Sequence, residues 1–271
     1  MRQRLNANSF VKVYFLVKIL ILDIETSPNV AYVWRFFKEN IGAKQVLENT
    51  QMLSFAAKWY GENEIFYEDV QNNNERLMLE VLATLLDEAD IVVAHNGDMF
   101  DLPHIQGRFL VHGIKPPSPY KQIDTVKVAR KEFNFPSNSL EYLSKVLDLP
   151  IKKGQHKKFP GFELWLGVLR NDPEAWAEMK EYNIDDIKVL EELYTAFRPF
   201  MRYHPPVGVF DRGDAGDSCP KCGSAAIHYR GYAHTNVGRY HRFRCNDCGG
   251  WGRNRTNLLA GNKRLNVNAV N

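Results

Sequence analysis

Cysteine is absent from the first 218 residues of this 271-residue chain, and all four cysteines fall between positions 219 and 248. The disulfides of a secreted protein are usually spread through its fold, so this clustering argues against a disulfide framework and for a reducing, cytoplasmic setting. Long apolar runs are also scarce. The longest, residues 10–22 (FVKVYFLVKILIL), is interrupted by Lys12 and Lys18 and is too short for a membrane span, which needs about 20 apolar residues. No small-residue cleavage site follows it, as a signal peptide would require. The run leads instead into Asp23-Ile24-Glu25, so residues 18–24 are expected to form a buried strand behind an N-terminal extension, residues 1–17. Net charge is low, +3, but unevenly placed. Residues 1–198 carry 24 basic and 28 acidic side chains, whereas residues 199–271 carry 11 and 4. A basic tail suits a polyanionic partner, or simply keeps the protein soluble.

What is present is an ordinary globular composition, 44% apolar and 25% charged. Strands are expected at 18–24, 51–59 and 64–70, the last two joined by a turn at Gly61, with short strands ending near Ala94 and Ile123. Helical periodicity marks 75–88, 102–111, 125–133 and 139–147, the last opened by a Ser cap. The clearest helix spans about 173–198, with Asp172 as N-cap and Pro173 in its first turn. Early strands followed by strand–helix alternation predict an α/β sandwich around a mixed sheet. Beyond it, residues 201–218 are rich in Pro, Gly and Asp and are expected to form a linker. A small cysteine module over 219–256 follows, and residues 257–271 are expected to be a disordered tail.

Acidic residues recur at the expected ends of these elements. Asp23 and Glu25 are two apart, so on a strand they share a face. Alone, such a pair reads most simply as a polar strand end. His95-Asn96-Gly97-Asp98-Met99-Phe100-Asp101 follows a second strand; Asp101 could cap a helix, and spacing does not choose between Asp98 and Asp101. In the long helix, Met179, Leu190, Leu193 and Phe197 define a buried stripe that includes Tyr182 and Asp186, while Asp185, Glu178, Glu181 and Glu192 fall on the solvated arc. A core-facing aspartate needs a partner, either a basic residue or a cation. Four carboxylates converging at one sheet edge would make a hard-oxygen site suited to Mg²⁺ or Mn²⁺.

Taken in order, LDIET (22–26), HNGDMFD (95–101) and YNIDD (182–186) resemble the three motifs of the DEDD 3′–5′ exonuclease superfamily, in its tyrosine subclass. The chain is similar there to the proofreading domains of family B DNA polymerases and to stand-alone bacterial and phage relatives. Ile123-Asp124-Thr125 also has counterparts in such enzymes. The resemblance covers about residues 18–198 and implies a ribonuclease H-like fold, as a domain over 18–200, in a bacterial protein or a phage protein in its host. It implies that Asp23, Glu25, Asp101 and Asp186 hold two Mg²⁺ or Mn²⁺ ions and that Tyr182 positions the attacking water. Thr26, Asn96 and Phe100 would lie close to the substrate, most simply single-stranded DNA. RNA as substrate, endonuclease action, and a non-catalytic role as a nucleic-acid-binding or replication and repair adaptor remain alternatives.

Cys219-x-x-Cys222-Gly and Cys245-x-x-Cys248-Gly are two knuckles of the kind that together hold one structural Zn²⁺. The module is expected to be a zinc ribbon whose folding depends on the metal. Between the knuckles lie Tyr229, Tyr232, Tyr240 and Phe243 among Arg230, Arg239, Arg242 and Arg244. Such a mixture suits nucleic-acid contact; alternatively the rings form the ribbon's small core. Lys152, Lys153, His156, Lys157 and Lys158 form a basic loop that could grip phosphates or simply face solvent.

Overall fold

The computed structural model describes residues 17–152, 158–210 and 217–260. Most of the N-terminal extension, Lys153, His156 and Lys157 of the basic loop, and residues 211–216 and 261–271 lie outside the described residues. Two compact units are present, Lys18–His204 and a smaller one built from residues 205 onward.

The larger unit is a five-stranded mixed sheet. Its strands are β1 (Ile19–Thr26), β4 (Met52–Trp59), β5 (Phe66–Asp69), β6 (Ile91–Ala94) and β7 (Lys121–Asp124), in the order β5-β4-β1-β6-β7. β4 runs antiparallel to β1, and β6 runs parallel to it. Two short strands, β2 (Val30–Ala31) and β3 (Val46–Glu48), pair with each other in the excursion between β1 and β4. The helices are α1 (Glu75–Glu88), α2 (Asp101–His112), α3 (Thr125–Glu132), α4 (Leu140–Val146), α5 (Glu163–Leu169) and α6 (Pro173–Phe197). The expected elements are all present, with β1 extended to Thr26. α5 was not expected. It is only seven residues long and follows Pro160-Gly161, so its periodicity is too brief to stand out.

The central strand sorts its side chains by parity. Leu20, Leu22 and Ile24 enter a core with Phe55 and Ala57 of β4, Met78, Leu79, Leu82 and Leu86 of α1, and Leu102, Ile105 and Phe109 of α2. The odd positions of β1 face the other layer, where α6 packs on β1 and β4 with α5 beside it. Register confirms the division: Lys58 lies opposite Ile21, and its ammonium pairs with Glu191 of α6. α6 begins as expected, with the Asp172 side chain accepting the Glu174 N–H at 2.9 Å. Among the described residues, no helix is long and apolar enough to cross a membrane.

In the smaller unit β8 (Ile227–Thr235), β9 (Gly238–Cys245) and β10 (Trp251–Arg253) form an antiparallel sheet in the order β10-β9-β8. The stretch expected to be linker is partly packed: Met201 and Val207 are buried.

One buried ion pair locks the first helical layer. The Glu75 carboxylate, at the start of α1, accepts the Met52 N–H at 2.8 Å, Arg108 Nε at 2.7 Å and a bond from His112. Burial opposes its ionisation, but the bonds from Arg108, the Met52 N–H and His112 outweigh that and hold it below its ordinary 4.5. Glu75→Gln is therefore expected to destabilise the fold by about 2 kcal/mol at pH 7. The stabilisation is complete above the ordinary carboxylate value and is lost as pH falls through the lower folded-state value. Urea unfolding of both proteins from pH 7 to pH 3 checks this: the gap should close at the acid end.

Candidate active site

β1 ends in a bulge. Glu25 pairs with Ser54 and Thr26 with Met52, so Leu53 is the extra residue on β4. Leu53 joins the α5–α6 core, turned to the same side as Ser54. Bulges re-aim side chains at sheet ends, and this one lies where β1 delivers its acids. Asp23 and Glu25, at odd positions, face α6. There they meet Asp186: carboxylate oxygens of all three lie within 4.8 Å of one another. Glu25 and Asp186 are buried, and Asp23 is partly so. Asp185 points elsewhere, 40% exposed at its side chain and paired with Lys188 at 3.0 Å. Three hard oxygen donors this close, two of them buried, match a divalent cation of the Mg²⁺ or Mn²⁺ type.

Asp101 is adjacent but outside that trio. It is the first residue of α2, not the cap before it, and it is 2% exposed. β6 pairs with β1 only through Ile21, so the backbone beyond is left without a strand on that side. The Asp101 Oδ1 takes the Ile24 N–H at 3.2 Å. Burial pushes its carboxyl up to about 7; its own N–H and that of Ile24 oppose the rise, and Asp124 adds to it. A nearby cation would favour its ionised form. Asp98 is held elsewhere, by Lys127 at 2.6 Å.

The segment leading to Asp101 has a local cause. Asn96 sits at φ 68°, a left-handed conformation that Asn tolerates better than most residues. A Cβ on Gly97 would come within 2.4 Å of the Ala94 Cβ, so only glycine fits there. Asp124 anchors the turn: its Oδ1 takes the Asn96 N–H at 3.0 Å and caps α3 through Val126 at 2.9 Å. Thr125 adds a bond to His95 Nδ1 at 2.8 Å. Phe100 is exposed and packs on His104, 4.6 Å between ring centroids. Asn96 and Phe100 thus precede Asp101 in the chain without joining the carboxylate trio. Tyr182, one turn before Asp186, is partly buried and meets Trp165 edge-on at 6.4 Å. Thr26 lines an open cleft with Ser27, Pro28, Phe162 and Trp165.

One site residue escaped the sequence. Asn183 is fully buried, and its Nδ2 donates to Asp23 Oδ2 at 2.7 Å. Its Oδ1 accepts from Ser54 Oγ at 3.1 Å. It therefore orients Asp23 from α6 while being oriented from β4. The signal was available: Asn183 lies four residues after Met179 and three before Asp186, on the same buried stripe.

In the smaller unit, Cys219, Cys222, Cys245 and Cys248 bring their sulfurs within 4.8 Å of one another. Two of the pairs, Cys219–Cys248 and Cys222–Cys245, stand at 3.6 Å. A tetrahedral Zn²⁺ with bonds of about 2.3 Å sets its sulfurs about 3.8 Å apart, so the cluster is compatible with a zinc ribbon. Of the aromatic residues between the knuckles, Phe243 alone is buried. Tyr229 and Tyr232 are exposed, and arginines lie over rings: Arg242 over Trp251 at 4.8 Å and Arg253 over Tyr240 at 3.8 Å. The rings are thus mostly surface and not core. Of the basic loop, Lys152 pairs with Asp148 and Lys158 with Glu174 at the surface.

Asn183→Ala is expected to lower the unfolding free energy by about 2 kcal/mol, because Ser54 and Asp23 each lose a buried partner. Freed to rotate, Asp23 should also cost the trio roughly 10-fold in Mn²⁺ affinity. Denaturant unfolding and a Mn²⁺ titration followed by electron paramagnetic resonance measure the two effects separately.

Comparison with known proteins agrees with the fold. A family B DNA polymerase from the hyperthermophilic archaeon Pyrobaculum calidifontis superimposes with a TM-score of 0.50 and 14% identity, over 68% of this chain and 25% of that one. The chain thus matches about a quarter of that polymerase's length, and at this identity the likeness speaks for the fold alone. No curated protein matches the chain in sequence. The family model described as RNase_H superfamily matches residues 20–198, most of the chain and all of the carboxylate-bearing elements. The chain belongs to the RNase_H superfamily.

Proposed function

We propose that this chain is a metal-dependent nuclease, and specifically a 3′–5′ exonuclease of the tyrosine subclass acting on single-stranded DNA. The observation that carries this reading is the meeting of Asp23, Glu25 and Asp186 from β1 and α6 within 4.8 Å. Membership of the RNase_H superfamily supports nuclease chemistry, and the order of the three sequence motifs supports the exonuclease assignment. Asp23, Glu25, Asp186 and the neighbouring Asp101 would hold two Mg²⁺ or Mn²⁺ ions. Such ions lower the pKa of a bound water and stabilise the leaving 3′ oxygen.

The chain's own residues have separable tasks. Asn183 keeps the Asp23 carboxylate turned toward Glu25 and Asp186. Asp124 and Gly97 hold the turn that delivers Asp101. Tyr182, backed by Trp165, orients the attacking water from α6. Thr26, Asn96 and Phe100 line the approach of the strand. In the smaller unit four thiolates hold one structural Zn²⁺, and the arginines and rings of β8–β10 contact the phosphate backbone and bases.

Purified protein should shorten a 5′-labelled single strand from its 3′ end when Mg²⁺ or Mn²⁺ is supplied. Asp23→Ala and Asp186→Ala should each lower the rate by at least about 10³-fold with the fold intact, while Asp185→Ala stays within about threefold of wild type. Wild-type cleavage by the Asp186→Ala protein would sink the assignment. For the ribbon, atomic absorption should find one zinc per chain, lost in Cys222→Ser. Limited proteolysis of that variant should then cut within 217–260 and spare 18–204.

A further inference from the structure

Between Thr26 and β4 the chain makes an excursion that the catalytic reading does not use. Its base is tied by Ser27, whose N–H donates to the Gln51 carbonyl at 2.8 Å and whose Oγ takes the Gln51 N–H at 2.8 Å. Its tip is tied by two polar side chains. Glu39 Oε2 takes the N–H groups of both Trp34 and Arg35 at 2.9 Å. Gln45 Nε2 donates to the Tyr32 carbonyl at 3.0 Å and to Glu39 Oε1 at 3.1 Å, and its Oε1 takes the Gly42 N–H at 2.9 Å. Polar side chains bonded to the backbone therefore shape this loop, and its rings stand in solvent. Tyr32 is 70% exposed, Trp34 93%, Phe36 92% and Phe37 83%. A single exposed ring needs no explanation, but four within six residues form a patch.

We propose that this aromatic loop, residues 32–37, is a stacking platform for a single nucleic-acid strand on its way to the carboxylates. Two features choose a nucleic acid as the occupant. The first is charge. Arg35, Lys38 and Lys44 accompany the rings, and Glu39, the one acid between positions 32 and 45, is turned inward onto backbone N–H groups. Rings with outward positive charge suit stacked bases on a polyanion. The second is continuity. Ser27 and Pro28 at the loop's base share a cleft with Thr26, Phe162 and Trp165, and Trp165 meets Tyr182 one turn before Asp186. Aromatic residues thus line the way from the loop's base to the site. The direction assigned to the strand rests on the nuclease reading; the binding itself does not.

The test is binding of a fluorescein-labelled, unstructured 20-nucleotide DNA strand to the full-length protein, by anisotropy, with Mg²⁺ and Mn²⁺ omitted. Trp34→Ala and Phe36→Ala should each weaken binding about 10-fold. Trp34→Tyr should retain most of it, and Trp34→Leu, which keeps apolar area but cannot stack, should not. Oligonucleotide should also quench the emission that Trp34→Tyr removes. Because the rings are exposed, thermal unfolding should be unchanged in every variant. Wild-type affinity in the Trp34→Ala/Phe36→Ala/Phe37→Ala protein would overturn the proposal and give the rings to a protein partner. If that protein binds normally while the wild type cleaves, the loop inference alone fails. If binding depends on the rings but no nucleic acid is cleaved with Mn²⁺ present, the nuclease reading alone fails.

Discussion

The two-residue repeat of β1 is the constraint from which the rest follows. A central strand covered on both faces must satisfy two different layers at once. Leu20, Leu22 and Ile24 are committed to α1 and α2, and their burial leaves no freedom in register. Asp23 and Glu25 are then obliged to face α6, whatever the cost. A slip of one residue would put both carboxylates into the apolar core among Met78, Leu82 and Ile105, where no cation or donor could serve them. The same parity on β4 sends Ser54 and Lys58 toward α6, where each has a polar partner in Asn183 or Glu191.

Polar burden is therefore concentrated in one layer, and α6 is built to meet it. A single helix 25 residues long presents Met179 to the apolar cluster, Asn183 to Asp23 and Ser54, Asp186 to the acids, and Glu191 to Lys58. These positions fall along one side of the helix, with apolar contacts at both ends fixing its rotation. Asn183 matters because a neutral amide can donate to a carboxylate without neutralising it. A lysine there would satisfy Asp23 by pairing with it and would compete with any metal. The layer around α1 carries little polar burden apart from Glu75, which is satisfied locally by Arg108 and His112.

Some of this was legible because it depends on neighbours in sequence. The α1, α3, α4 and α6 boundaries, the Asp172 and Ser139 caps and the shared face of Asp23 and Glu25 are local matters of periodicity and hydrogen bonding. So is the separation of Asp186 from Asp185, a matter of 100° on a helix. The four cysteines could be grouped by spacing alone, since each knuckle is closed within four residues. α5 was missed because seven residues give too few turns to show a stripe. Spacing left Asp101 open as a helix cap or as one of the site acids; it is the first residue of α2, and its carboxylate takes the Ile24 N–H of the neighbouring strand as well as its own, a long-range contact that spacing does not show.

By itself, then, the sequence determined an α/β layered unit, a cysteine cluster after it, and which acids face inward on their own elements. Only the tertiary structure decided how those elements meet. It brought Asp23, Glu25 and Asp186 within 4.8 Å and set Asp101 beside them. It also revealed Asn183 as the donor to Asp23, and left the rings of residues 32–37 in solvent. The physical reason is range. Periodicity and capping act over a few residues, whereas Asn183 and Asp23 are 160 positions apart and are joined only once the sheet and α6 have packed.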